Sequence, residues 1–134
     1  MPATAFEQLV AAAAAQPEPQ ALLFVFTGAE LPADATPAQR ARYEAGAGGA
    51  LTPLMCCDKT VDELGSFDAL VEESRRMGPP WSVVFVAGLS GSQGLAPSPQ
   101  AVEAALQTMI ERVKRGAVEG LLAFSQDARL LSFS

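Results

Sequence analysis

A glycine-rich loop over residues 88–94 holds the residue types best suited to bind a ligand in this chain. Its three glycines lie at three-residue spacing, with serines between them: Gly88, Gly91, Gly94, Ser90 and Ser92. The loop follows an apolar strand and precedes a helix, so its backbone amides could cradle a phosphate group beside a helix N-terminus. It lacks the Gly-Lys-Ser/Thr ending of a P-loop, and it does not open directly into its helix as a dinucleotide fingerprint does. A mobile surface loop is therefore the favoured interpretation, and a phosphate site is the alternative.

The alternative also predicts where such a site lies. In open α/β sheets, ligands bind outside the carboxyl ends of the strands. Thr27 and Gly28 end the strand predicted over 22–27, and the glycine-rich loop follows the strand predicted over 82–87. A nucleotide or a phosphorylated metabolite would bind where these two ends meet. The predicted ligand-binding residues are Thr27, Gly28, Gly88, Ser90, Gly91, Ser92 and Gly94.

Most residue types that usually carry catalysis are missing from the chain. It has no histidine, and its only cysteines are the neighbours Cys56 and Cys57. This removes the commonest general base, the commonest transition-metal ligand, and the serine–histidine and cysteine–histidine pairs. Ser90 and Ser92 would need a lysine base, which the sequence does not place. We predict no catalytic residue, no metal ligand and no cofactor, although serine–lysine and carboxylate mechanisms stay open.

Three other groups have a functional and a structural interpretation, and the structural one is favoured for each. Cys56 and Cys57 could oxidise to a strained ring, or act as small core side chains in a reducing compartment. Five carboxylates lie around a predicted helix, at Asp58, Asp62, Glu63, Glu72 and Glu73. Such carboxylates could hold a cation, but acids in a first turn usually complement the helix dipole. The single tryptophan, Trp81, is either a partly exposed binding anchor or a core residue.

Composition and charge narrow the class of protein. The chain has 134 residues, of which 49% are hydrophobic and 18% are charged, as expected for one domain spanning 1–134. Its formal charge of −6 disfavours nucleic acid. The one basic cluster, Arg112, Lys114 and Arg115, lies at a predicted helix end, where cations complement the dipole. Its apolar runs are far shorter than the roughly 18 to 20 residues of a spanning helix, and it starts without a signal-peptide pattern. We predict a cytoplasmic protein that binds neither nucleic acid nor membranes.

Capping residues and prolines mark the helices. The predicted N-caps are Thr4, Thr36, Thr60 and Ser98. Thr60 is followed by Glu63 at capping-box spacing, so the third helix is expected to start there. Pro37 and Pro99 each follow a cap directly, which is the position where proline favours a helix. The second helix is short, because the glycine-rich segment 45–49 follows it.

Strands are predicted over 22–27, 50–57 and 82–87, followed by a hairpin over 121–125 and 129–133 with a three-residue connection. The first and third strands are apolar on both faces, which is typical of central strands buried from both sides. Pro53 places the second strand at an edge or a bulge. Since helices and strands alternate, we predict a single-domain α/β fold. Its sheet would be mixed and mostly parallel, with about five strands flanked by helices and a C-terminal β-hairpin.

Four stretches carry a resemblance to a known family. They are QPEPQ before LLFVF over 16–26, GAELP over 28–32, PLMC before DK over 53–59, and GPPW leading to VFVA over 78–87. Together they resemble a family of small proteobacterial proteins often labelled ribonucleotide reductase subunit alpha. The resemblance implies a bacterial cytoplasmic protein. The reductase reaction needs a radical cysteine and a separate reducing pair, and this chain has two adjacent cysteines, so no catalytic residue carries over.

These observations favour a binding protein over an enzyme. Segments 29–49 and 88–97 are long and rich in glycine and proline, as interaction loops tend to be. We therefore predict a non-catalytic protein-interaction module, whose partner is another protein or a second copy of the chain. The alternative is the small-molecule site at the glycine-rich loop.

Overall fold

A five-stranded sheet with helices on both sides organises the chain. The structure is a computed structural model, and it describes residues 4–30, 36–38 and 50–131. The elements in chain order are α1 (Ala5–Ala14), β1 (Gln20–Glu30), β2 (Ala50–Thr60), α2 (Phe67–Met77), β3 (Val83–Ser90), α3 (Pro99–Lys114), β4 (Leu122–Ser125) and β5 (Leu130–Leu131). None of the helices in these ranges is long and apolar enough to cross a bilayer.

The strand order is β2-β1-β3-β4-β5, and every neighbouring pair is antiparallel. The predicted mostly parallel sheet is therefore wrong. Helix α2 does return the chain so that β2 and β3 run in the same direction, as the alternating pattern indicated. However, β1 lies between them and runs the opposite way. The alternation of elements predicts strand direction along the chain, whereas the adjacency of strands depends on packing across the sheet.

Both faces of β1 are buried, as its two-sided apolar pattern predicted. Leu22, Phe24 and Phe26 point to one side of the sheet, where they pack with α1, α2 and Trp81. Leu23 and Val25 point to the other side, where they pack with α3. These two sides are called the α1/α2 side and the α3 side below. Each side forms its own apolar core, so the sheet is the middle layer of three.

Helix α2 begins later than its capping box predicted. The Thr60 N–H donates to Glu63 Oε1 at 2.9 Å, and the Glu63 N–H donates to Thr60 Oγ1 at 3.2 Å. These reciprocal bonds close a single turn after β2, and the helix starts only at Phe67. Its N-cap is Ser66, whose Oγ accepts from the Ala69 N–H at 3.0 Å. The predicted caps Thr4 and Ser98 are confirmed.

Strand β2 lies at one edge of the sheet, as Pro53 predicted. Its register with β1 shifts between Phe26, opposite Met55, and Thr27, opposite Pro53, so Leu54 is an extra residue in a bulge. The predicted C-terminal hairpin is present. The Ser125 N–H donates to the Arg129 carbonyl oxygen at 3.0 Å across residues 126–128, and Ala128 has a φ of 65°. Residues 132–133 of its predicted second strand lie outside the described residues. Residues 37–38 are helical, while the rest of the predicted short helix and segment 45–49 lie outside the described residues.

Candidate functional site

The predicted glycine-rich loop is a strand end followed by a tight turn. Gly88 and Ser90 belong to β3, which is longer than predicted. Beyond them, Ser92 and Leu95 exchange backbone hydrogen bonds of 3.0 and 2.9 Å around the turn residues Gln93 and Gly94. The φ angles of those two residues are 54° and 77°. Two positive φ values in a two-residue connection are typical of a type I′ turn.

The amides of this glycine turn are engaged within the chain. The Gly91 N–H donates to the Pro19 carbonyl oxygen at 2.8 Å. The Gly94 N–H donates to Glu18 Oε2 at 2.9 Å, so a carboxylate already holds the position that an anionic ligand would take. Ser90 Oγ accepts from Gln20 Nε2 at 2.7 Å. These contacts fasten the turn to residues 18–20, which connect α1 to β1.

A cleft of about 490 Å³ lies beside the glycine turn. The end of α1 and the turn after β2 form its walls, and Glu18 and Asp62 both line it. Two carboxylates disfavour a phosphate in the same cleft. Moreover, within the described part of the chain no buried side-chain nitrogen or oxygen lacks a hydrogen-bond partner.

We expect Gly91→Ala to destabilise the protein, because a Cβ at Gly91 would overlap the Leu95 carbonyl oxygen across the turn. Overpacking of this kind costs about 1 to 3 kcal/mol of unfolding free energy. The matched control is Gly88→Ala, whose Cβ would meet nothing nearer than 3.7 Å. Alanine is favoured over glycine in a strand interior by roughly 0.5 to 1 kcal/mol, so the control should keep or gain stability. Thermal unfolding followed by circular dichroism distinguishes the two. Equal melting temperatures for both variants would contradict the observed turn.

Thr27 and Gly28 lie at the opposite end of β1 from the glycine turn. Gln20 is opposite Ser90, and Thr27 is opposite Val83. The two ends are seven positions apart, so at about 3.4 Å per residue roughly 24 Å separates them. The predicted site between them does not exist as one pocket, because the prediction assumed that β1 and β3 are parallel.

Thr27 has a structural role. Its side chain is fully buried and donates from Oγ1 to the Val83 carbonyl oxygen at 2.8 Å. Its own carbonyl oxygen accepts from the Ser82 N–H at 2.8 Å. These bonds hold the backbone in place where β3 begins. Gly28 makes room for Leu54, since a Cβ there would lie 3.1 Å from Leu54 Cδ1.

The two cysteines point to opposite sides of the sheet, because they are consecutive residues of an extended strand. Cys57 packs against the α1/α2 core, and Cys56 packs against the α3 core. Burial raises the pKa of the Cys57 thiol to about 12. Burial, and to a lesser degree Asp58, also raises the pKa of Cys56. Both thiols are therefore protonated at neutral pH, which suits core side chains and not nucleophiles.

Three of the five clustered carboxylates, Glu63, Glu72 and Glu73, make local structural bonds. Glu63 caps the turn at Thr60, and the Thr60 backbone N–H lowers the pKa of Glu63. Glu73 pairs with Lys59 at 2.8 Å, and Glu72 pairs with Arg75 at 2.6 Å. Over the described ranges, no three metal-ligating side chains lie close enough to hold an ion.

Trp81 and Arg112 also serve the fold. Trp81 is buried, and its Nε1–H donates to Ser74 Oγ at 2.7 Å, so the core interpretation is confirmed. Arg112 Nε donates to the Ala117 carbonyl oxygen at 2.9 Å, and its Nη2 donates to the Glu119 carbonyl oxygen. Arg112 thereby fastens the connection from α3 to β4, leaving Lys114 and Arg115 exposed on the surface.

The sequence analysis missed two exposed leucines at the β5 end of the sheet. Leu122 is 39% exposed and Leu130 is 49% exposed. Leu130 lies opposite Phe124, and Leu122 is two residues before Phe124, so both leucines are on the α1/α2 side. We call this pair the leucine patch. The alternation of the hairpin indicated their shared face, but only packing shows that the helices leave them uncovered.

No family model, no curated protein and no solved structure matches this chain. The resemblance to the small proteobacterial family therefore stays a prediction, and the functional argument depends on the contacts described above.

Proposed function

We propose that this protein is a non-catalytic interaction module that binds another polypeptide chain at the leucine patch. The observation that carries the proposal is the pair of leucines, about 39% and 49% exposed, side by side at the β5 end of the sheet. Single exposed leucines are ordinary on protein surfaces, whereas neighbouring exposed apolar side chains that form one patch are a feature of interaction sites.

The register of β4 and β5 sets the geometry of the patch. Leu130 is opposite Phe124, which places Leu122 at the diagonal position. Diagonal neighbours on one face are about 7 to 8 Å apart, so a single apolar side chain of a partner could contact both leucines. Phe124 is fully buried beside them, and its ring contacts Phe6 at 5.6 Å between centroids. The patch is thus the margin of the α1/α2 core, held by rigid packing.

The groups that could do chemistry support binding over catalysis. The thiols of Cys56 and Cys57 have raised pKa values, and the hydroxyl of Ser90 accepts a hydrogen bond from Gln20. The amides of the glycine turn are bound by Pro19, Glu18 and Leu95. The small-molecule alternative therefore has no observation that favours it. The interaction segment predicted over 29–49 lies mostly outside the described residues.

Site-specific photocrosslinking in the native host tests the proposal. A benzophenone amino acid at position 130 is expected to form a crosslink to a defined polypeptide, identified by mass spectrometry. The matched control places the same amino acid at position 95, where Leu95 is 70% exposed in the turn that follows β3. The crosslink should be absent at 95, and Leu122→Lys should abolish the one at 130. Equal crosslinking at both positions, or none at 130, would show that the patch is not a binding surface.

A further inference from the structure

We draw no further inference here: the strongest candidate, the cavity of about 430 Å³ between the N-termini of α1 and α2 and the β4–β5 turn, rests only on two helix N-termini and the acidic side chains Glu7, Asp68 and Asp127, and nothing in the described part of the chain shows what it binds.

Discussion

Replacing Phe124 with alanine is expected to lower the free energy of unfolding by about 3 to 5 kcal/mol, the usual cost of deleting a buried ring. Phe124 is fully buried at the α1/α2 side of β4. Its ring is 5.6 Å from that of Phe6 and 6.0 Å from that of Phe67, between centroids. Phe6 and Phe67 also contact each other edge to face at 4.9 Å.

This aromatic cluster joins three elements that are distant in sequence. Phe6 belongs to α1, Phe67 begins α2, and Phe124 belongs to β4. Losing the Phe124 ring therefore leaves a cavity where both helices meet the sheet, and neither helix can fill it without leaving its other contacts. Small domains have unfolding free energies of about 5 to 15 kcal/mol, so the loss is a large share of the total.

Urea denaturation followed by circular dichroism measures the effect. Leu122→Ala is the matched control, since Leu122 is on the same strand and the same side but is 39% exposed. Its cost should be clearly smaller, because less apolar area returns to water. If the two variants lose equal stability, the ring cluster does not hold α1 and α2 to the sheet.

Replacing Trp81 with alanine is the second change with a large expected effect, again about 3 to 5 kcal/mol of unfolding free energy. Trp81 is 4% exposed and contacts the Phe26 ring edge to face at 5.1 Å between centroids. Its indole N–H donates to Ser74 Oγ, and Ser74 in turn donates to the Val71 carbonyl oxygen at 2.6 Å. Its own carbonyl oxygen accepts from Gln126 Nε2. Trp81 thus connects α2, β1 and the β4–β5 turn.

A double-mutant cycle separates the hydrogen bond from the packing. Ser74→Ala leaves the buried indole N–H without its acceptor, which should cost about 1 to 3 kcal/mol. In a Trp81→Phe background no indole remains, so Ser74→Ala should cost less there. Urea unfolding, followed by circular dichroism, is measured for the unmodified chain, the two single variants and the double variant. The difference between the two costs of Ser74→Ala is the coupling free energy between Trp81 and Ser74. A coupling near zero would mean that the bond between Trp81 and Ser74 adds nothing to stability.

Local features of this fold follow from the sequence because they depend on neighbouring residues. Thr4 and Ser98 cap helices through contacts within three residues, and the 126–128 connection closes within its own hairpin. Even so, two nearby capping signals can compete for the start of one helix. The capping box of Thr60 and Glu63 forms both of its hydrogen bonds, yet the helix starts at Phe67 under the Ser66 cap.

The candidate site was predicted less well, because it depended on contacts between distant elements. Thr27 and the glycine turn were expected to meet, and the antiparallel register sets them at opposite ends of β1. Glu18, whose carboxylate binds the Gly94 amide, had no recognisable signal, because that contact joins residues far apart in the chain. The exposure of Leu122 and Leu130 likewise depends on where α1 and α2 end on the sheet.

By itself the sequence determined the order of the described helices and strands, that β1 is buried on both faces, and that β2 lies at an edge. Those properties follow from apolar periodicity, proline and capping residues, which act over a few positions. Only the tertiary structure decided that β1 lies between β2 and β3, so that all pairs are antiparallel. Strand order is chosen by packing both apolar faces of the sheet at once, and that choice also decides which leucines stay exposed.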